Sequence, residues 1–362
     1  MLKTVFHIML WALFITLTAG QVTAADYETA KTLGEKAAQE AADILDLNWS
    51  DQEVIVLTNA GYARPNGIST RGCLDGLSQK TGTSQGKNNL IKLQDRFDQP
   101  LWFAFYIPET GKTAYLQLNE KLDLKSEIQG KKDQDLFALS HKARVDADYL
   151  FEDPDKYEQY IQDGLFGANL FRTIAAANIA EHEQAPFLTQ ALQFHDHYCP
   201  GVTSGILLAR FIEKNIFADA PEARSFILSL QPWCKEDALQ VLLNTTPGKR
   251  GYGVFYPDSD AVQTWPDPLD KTCTVVFTRQ KDSPWQGWML EFDFDLARKK
   301  YDGPQPENEA LNKLALGLWM MDTIHEPQRF VSVHQTFVMD KDLHPRELLH
   351  PEADPVQMLS EM

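Results

Sequence analysis

One pattern of elements runs through the 362-residue chain twice. In each pass a helical stretch and an apolar strand run lead to a short helix opened by cysteine. A Thr/Gly/Lys loop and further strands follow. Cys73-Leu74-Asp75-Gly76-Leu77-Ser78-Gln79 is answered by Cys234-Lys235-Glu236-Asp237-Ala238-Leu239-Gln240. Thr83-Ser84-Gln85-Gly86-Lys87 is answered, with a one-residue offset, by Thr245-Thr246-Pro247-Gly248-Lys249. Self-similarity over so long a period points to duplication. The expected fold class is α+β: two related α+β halves, with mixed or antiparallel sheets packed with helices, the first half degenerate.

Periodicity places the elements. Apolar residues at helical spacing predict helices over 27–46, 74–81, 157–181, 202–215, 234–243 and 307–323. Strand runs fall at 53–57, 90–93, 100–106, 112–118, 225–230, 253–256, 273–279, 288–294 and 330–339. Residues 123–156 are highly charged, ending in Asp146, Asp148, Glu152, Asp153 and Asp155, and read as a solvated linker. A calcium loop there would want Gly near its sixth position, and none stands there. The divisions expected are a signal peptide at 1–25, a degenerate half at 26–150, a metal-site domain at 151–302, and a helix, strand and tail at 303–362.

The first 25 residues have the order of a secretory leader. Lys3 supplies the positive start, Ile8 to Leu17 the apolar run, and small residues lead to Ala24 and Ala25. The run is shorter than the roughly 20 apolar residues a membrane span needs. The mature protein is therefore expected in the periplasm or secreted, with no membrane span after cleavage. A net charge of −17 argues against nucleic acid and anionic membrane as partners. Four cysteines in an exported chain suggest disulfides first. A chain this long folds on its apolar core, however, so the thiols are free for chemistry.

The densest ligand chemistry lies in Phe194-His195-Asp196-His197-Tyr198-Cys199-Pro200-Gly201. His195 and His197 would diverge on a helix but share a face on an extended segment. Pro200 suits the first turn of the next helix, which puts Cys199 near its cap. Cys234 likewise opens a helix. A thiol at a helix N-terminus is favoured as thiolate by the dipole and the free N–H groups. Thiolate with imidazole is a donor set for zinc, and also for iron or copper. Three ligands leave a position for water or substrate, and Cys234 as a fourth closes it. Asp237, one helical turn after Cys234, can orient an imidazole, act as a base, or pair with Lys235 or solvent. Thr246 and Lys249 belong to a turn that can hold an anion or cofactor, or serve only as a turn. It is no Walker loop, since no Gly stands five residues before Gly248. In the first half the matching stretch, Asp26-Tyr27-Glu28-Thr29, holds no His or Cys.

His195-x-His197-x-Cys199-Pro200-Gly201, an apolar helix, Cys234-x-x-Asp237-Ala238-x-Gln240 and Thr246-Pro247-Gly248-Lys249 resemble the E-subunit family of formylmethanofuran dehydrogenase. The resemblance covers roughly residues 190–300, with an echo in 27–120. It implies an α+β domain, often dimeric, with a His/Cys cleft that takes a divalent metal, usually read as zinc. By analogy His195, His197, Cys199, Cys234 and Asp237 form that site. The zinc ribbon of some members is absent, since the chain has no CxxC. The family name refers to a cytoplasmic molybdenum or tungsten enzyme, so for an exported chain it is not read as the activity. Three readings remain open: a metal-binding protein that takes a small molecule or organic cofactor; a metalloenzyme using an open metal or the Cys199 thiolate, with Asp237 assisting; and a structural Cys199–Cys234 disulfide.

Overall fold

A computed structural model describes residues 24–182, 185–258 and 260–362. The expected leader lies outside the described residues except for Ala24 and Ala25, which open the first helix. The first half runs α1 (Ala24–Leu45), β1 (Ile55–Thr58), α2 (Gly72–Thr81), β2 (Leu90–Lys92), β3 (Trp102–Ile107), β4 (Lys112–Leu118), α3 (Leu124–Glu127) and β5 (Phe137–Arg144). Five helices follow: α4 (Ala147–Glu152), α5 (Asp155–Gln162), α6 (Leu170–His182), α7 (Pro186–His195) and α8 (Pro200–Ile212). Then come β6 (Arg224–Ser229), α9 (Lys235–Leu242), β7 (Tyr252–Val254), β8 (Thr274–Arg279), β9 (Gln286–Phe292), α10 (Phe294–Lys300), α11 (Glu309–Met321), β10 (Val331–Val338) and α12 (Pro355–Ser360).

The two halves share one sheet topology. The first sheet has the order β2-β1-β3-β4-β5 and the second β7-β6-β8-β9-β10. In each, the short outer strand is parallel to its neighbour (β1 with β2, β6 with β7) and the other pairings are antiparallel. Both turns before the parallel strand are built alike: Ser84 accepts a bond from the Lys87 amide, and Thr246 accepts one from the Lys249 amide.

That common frame corrects one sequence match. Gly34 of α1 lies against the Cys73 backbone, where an added Cβ would stand 2.8 Å from its Cα. The corresponding Gly205 of α8 lies against Lys235, at 2.7 Å. Cys73 therefore takes the place of Lys235, and Gly72 that of Cys234. The Cys73/Cys234 echo is one residue out of register. Asp75 and Asp237, by contrast, occupy the same place.

One apolar core joins a face of each sheet. Ile55, Leu57, Trp102 and Tyr115 from the first and Ile227, Val276 and Leu290 from the second belong to it, together with residues of α6, α7, α8, α9 and α11. The other face of the first sheet packs Val56, Phe103 and Phe105 against Leu33, Ala37 and Ala41 of α1. The other face of the second is covered by the C-terminal tail through Leu348 and Leu359.

Several expectations differ from the structure. The acidic segment 123–156 is not a linker: it holds α3, β5 and α4. Strand β5 buries only Phe137 and Ala143, because it is an edge strand, so no apolar run announced it. The helix expected over 157–181 breaks between α5 and α6, where Gly164 and Gly167 take positive φ of 65° and 52°. Phe294, expected to end a strand, instead opens α10, capped by the Asp293 carboxylate on the Leu296 amide. Strand β10 pairs with β9, so the division expected at 302 falls inside the second sheet.

Candidate metal centre

Helix α7 delivers His195 as its last residue. Asp196 then turns the chain in the left-handed conformation (φ 73°), which aspartate tolerates better than most residues. This turn, not an extended segment as expected, brings the two imidazoles together, with ring centroids 4.5 Å apart. Tyr198 is buried and anchors the stretch, accepting a bond from the Thr203 hydroxyl at 2.7 Å and donating to the Met321 sulfur at 2.6 Å. Cys199 is the N-cap of α8, with Pro200 next, as the sequence predicts.

Cys234 is the N-cap of α9, and the packing of α9 on α8 carries it to Cys199. Two glycines permit this. A Cβ on Gly201 would meet the Cys234 Sγ at 3.2 Å, and one on Gly205 the Lys235 Cα at 2.7 Å. All four cysteines are free thiols. The Cys234 thiol stands beside both the Cys199 thiol and the His195 ring. The Cys199–Cys234 disulfide reading is therefore not what the structure contains.

Among the described residues, one donor atom from each of His195, His197 and Cys199 lies within 4.8 Å of the others. Cys234 is beside this group without meeting that distance to every member. Asp237 Oδ2 holds His195 Nδ1 at 2.6 Å, which leaves Nε2 as the inward nitrogen. That Nε2 is buried and has no hydrogen-bond partner. An orphaned buried imidazole nitrogen beside two sulfurs is the arrangement a soft divalent metal would satisfy. Carboxylate-held histidine is also the usual support of a metal ligand. Lys235 does not compete for Asp237. It is fully buried, with Nζ 2.5 Å from Glu236 Oε1 and 2.6 Å from the Gln231 carbonyl. Glu236 in turn accepts from the Ser229 hydroxyl and, at 2.7 Å, from the Trp233 amide. This buried pair fixes the turn that carries Cys234.

The first half supplies an outer brace. Asp196 Oδ1 holds His197 Nδ1 at 2.8 Å, and Arg172 of α6 bonds Asp196 Oδ2 at 2.9 Å. The same guanidinium reaches Asp95 Oδ2, between β2 and β3, at 2.8 Å. Asp95 accepts from the Asn59 amide at 3.1 Å. Arg172, Asp95 and Asn59 carry no ligand signature, so sequence reasoning missed them.

Electrostatics follow from these contacts. Burial opposes charging His195, but Asp237 and Cys234 outweigh it and lift its pKa to about 9. The neighbouring Cys234 thiol lowers Cys199 to about 7 against its burial, helped by the amides of Val202 and Gly201 at the start of α8. Cys234, facing the Cys199 thiol, is pushed up to about 12. Asp196 resists its own burial through His197 and Arg172, which hold it below the usual carboxylate range.

Thr246 and Lys249 lie at the other end of α9 from Cys234 and Asp237. The Thr246 side chain caps its own turn, and the Lys249 ammonium bonds the Asn244 side-chain and backbone oxygens. Lys87 closes the first-half turn in the same way, on the Gly82 carbonyl at 2.9 Å. His325, His334, His344 and His350 are outside the cluster.

Residues 194–316 match the family model described as FmdE, Molybdenum formylmethanofuran dehydrogenase operon. This part of the chain resembles the FmdE family. The matched span starts one residue before His195 and takes in His197, Cys199, Cys234 and Asp237 before ending in α11. It leaves out the first sheet and β10. No curated protein matches the chain. Among the described residues, no helix is long and apolar enough to cross a membrane.

Proposed function

We propose that the protein binds a divalent metal, zinc by its donor set, through His195, His197, Cys199 and Cys234. The observation that carries this is the His195 ring: one nitrogen held by Asp237 at 2.6 Å, the other buried without a partner beside two thiols. Bound there, a metal supplies Lewis acidity or a ligand position for a small molecule or organic cofactor. His197, with its side chain 32% exposed, is the side from which such a molecule would approach. Asp237 orients His195, and Asp196 orients His197. In this reading residues 1–25 are a leader, the protein works in the periplasm or outside the cell, and the family's dimeric habit extends to it.

A second reading keeps the same residues and makes the site a metalloenzyme. It is favoured by the Cys199 thiol, held near 7 at a helix N-terminus, where it ionises readily as nucleophile or ligand. Metal analysis of the purified protein, with His195→Ala and Cys199→Ser beside it, tests the shared core. About one metal per chain in the wild type and loss in both variants is expected. Metal near zero in the wild type, or unchanged in both variants, refutes both readings. Turnover against ester and disulfide substrates that is lost in Cys199→Ser then separates enzyme from binder.

A further inference from the structure

Away from the thiols, beyond the C-terminal end of α9, positive charge gathers in a cleft of about 530 Å³. Arg224 stands at the start of β6, Lys249 and Arg250 follow the Thr246-capped turn, and Arg346 comes from the C-terminal tail. No carboxylate is among the described residues lining it, on a chain of net charge −17. A low-dielectric cleft of one sign concentrates counter-ions and focuses the field on them.

Three further observations point to a ligand. Thr245 and Trp285, 5% and 3% exposed, line the cleft with Oγ1 and Nε1 buried and without hydrogen-bond partners. Buried polar atoms left unpaired call for an explanation. His344, also lining, receives the Arg346 amide on Nδ1 at 3.1 Å, so its Nε2 carries the proton and is a donor. Burial and then Arg346, Arg279 and Arg224, opposed by Glu347, hold its pKa low, which places those cations around one ring. Lastly, Arg250 takes a left-handed φ of 57° at the end of its turn, and its twin Asn88 takes 59°. Asparagine suits that backbone and arginine does not. The backbone gives no reason for arginine there, whereas its guanidinium on the cleft does.

We propose that this cleft binds a small, multiply charged oxyanion, phosphate or carboxylate, held by Arg224, Arg250 and Arg346 with His344 as a neutral donor. Guanidinium forks match both groups in two-point fashion. Lys249 stays on Asn244 and closes the turn. The cleft owes nothing to the metal: it lies at the opposite end of α9 and shares no residue with the His/Cys cluster.

Titration calorimetry on the full protein at low ionic strength tests this, with inorganic phosphate in one arm and succinate in the other. Saturable binding of at least one anion is expected. It should weaken at least about tenfold in Arg250→Asn and in Arg346→Gln, as loss of a charge-assisted bond implies. Both variants should keep the wild-type melting temperature; Arg224→Gln replaces either if it does not fold. His195→Ala should bind the anion as the wild type does. Preference for phosphate or succinate identifies the source. Absence of saturable binding in the wild type overturns the proposal. So does binding that the arginine variants retain or that His195→Ala abolishes.

Discussion

Replacing Arg172 by Gln separates a metal site braced by the first half from one complete in the second. Arg172 touches none of the four proposed metal ligands. Its guanidinium, 20% exposed, bonds Asp95 at 2.8 Å and Asp196 at 2.9 Å, and Asn169 at 3.1 Å. Two charge-assisted bonds are lost and two carboxylates are left facing each other's charge. Removing one partner of a buried pair costs about 3–5 kcal/mol. Asp196 is 35% exposed, so water recovers part of this and a loss of about 2 kcal/mol is expected. Asp196, released from Arg172, holds His197 less firmly. Loss of such outer support typically weakens metal binding about 10–100-fold. The assay is zinc competition against a chromophoric chelator, beside thermal unfolding of the metal-free protein. Asp95→Asn, in the first half and without contact to any proposed metal ligand, should weaken zinc in the same direction by less. If Arg172→Gln lowers the melting temperature but leaves zinc affinity within about twofold, the brace is structural and does not position His197.

Other perturbations bear on other parts of the arrangement. Asp237→Asn keeps the shape but removes the charge behind His195, and should weaken zinc about 10–100-fold with little change in unfolding temperature; equal affinity would sever Asp237 from the site. Gly201→Ala pushes a methyl to 3.2 Å from the Cys234 sulfur and should weaken zinc while the fold survives, measured by competition and circular dichroism. Gly205→Val drives a branched side chain into the Lys235 backbone at 2.7 Å and should destabilise by about 3 kcal/mol or more in denaturant titration. Lys235→Met leaves Glu236 buried without its cation and should cost about 3 kcal/mol, read from the same titration.

The two α+β halves and the crowding of three donor residues were legible in the sequence, and the packing that joins them was not. His195, His197 and Cys199 were legible because donor types crowd one short stretch, and Cys234 because a cysteine before a helix repeats the Cys199 setting. The way the histidines meet was not legible, since it depends on the left-handed turn at Asp196. The burial of Lys235 was not legible because nothing local says that α9 packs against Gly205 and seals it. Strand β5 was hidden because, at the sheet edge, it buries only Phe137 and Ala143. Arg172 and Asp95 were invisible because their meaning is a contact across 77 positions of chain. The duplication was visible, but its register was not. The Cys73/Cys234 coincidence outweighed the Asp75/Asp237 correspondence until the glycine contacts set the frame. In that frame Asp75 accepts from the Tyr27 hydroxyl at 2.8 Å, where Asp237 holds a histidine.

Cobalt substitution reads the donor set directly. The metal-free protein, titrated with one equivalent of Co(II), should develop thiolate-to-cobalt charge-transfer absorption in the near ultraviolet with visible bands of tetrahedral strength. Cys199→Ser and Cys234→Ser should each remove about half of the charge-transfer intensity, and His195→Ala should weaken cobalt binding. A wild-type spectrum without thiolate charge transfer, or one that both cysteine variants leave intact, contradicts a metal held by Cys199 and Cys234.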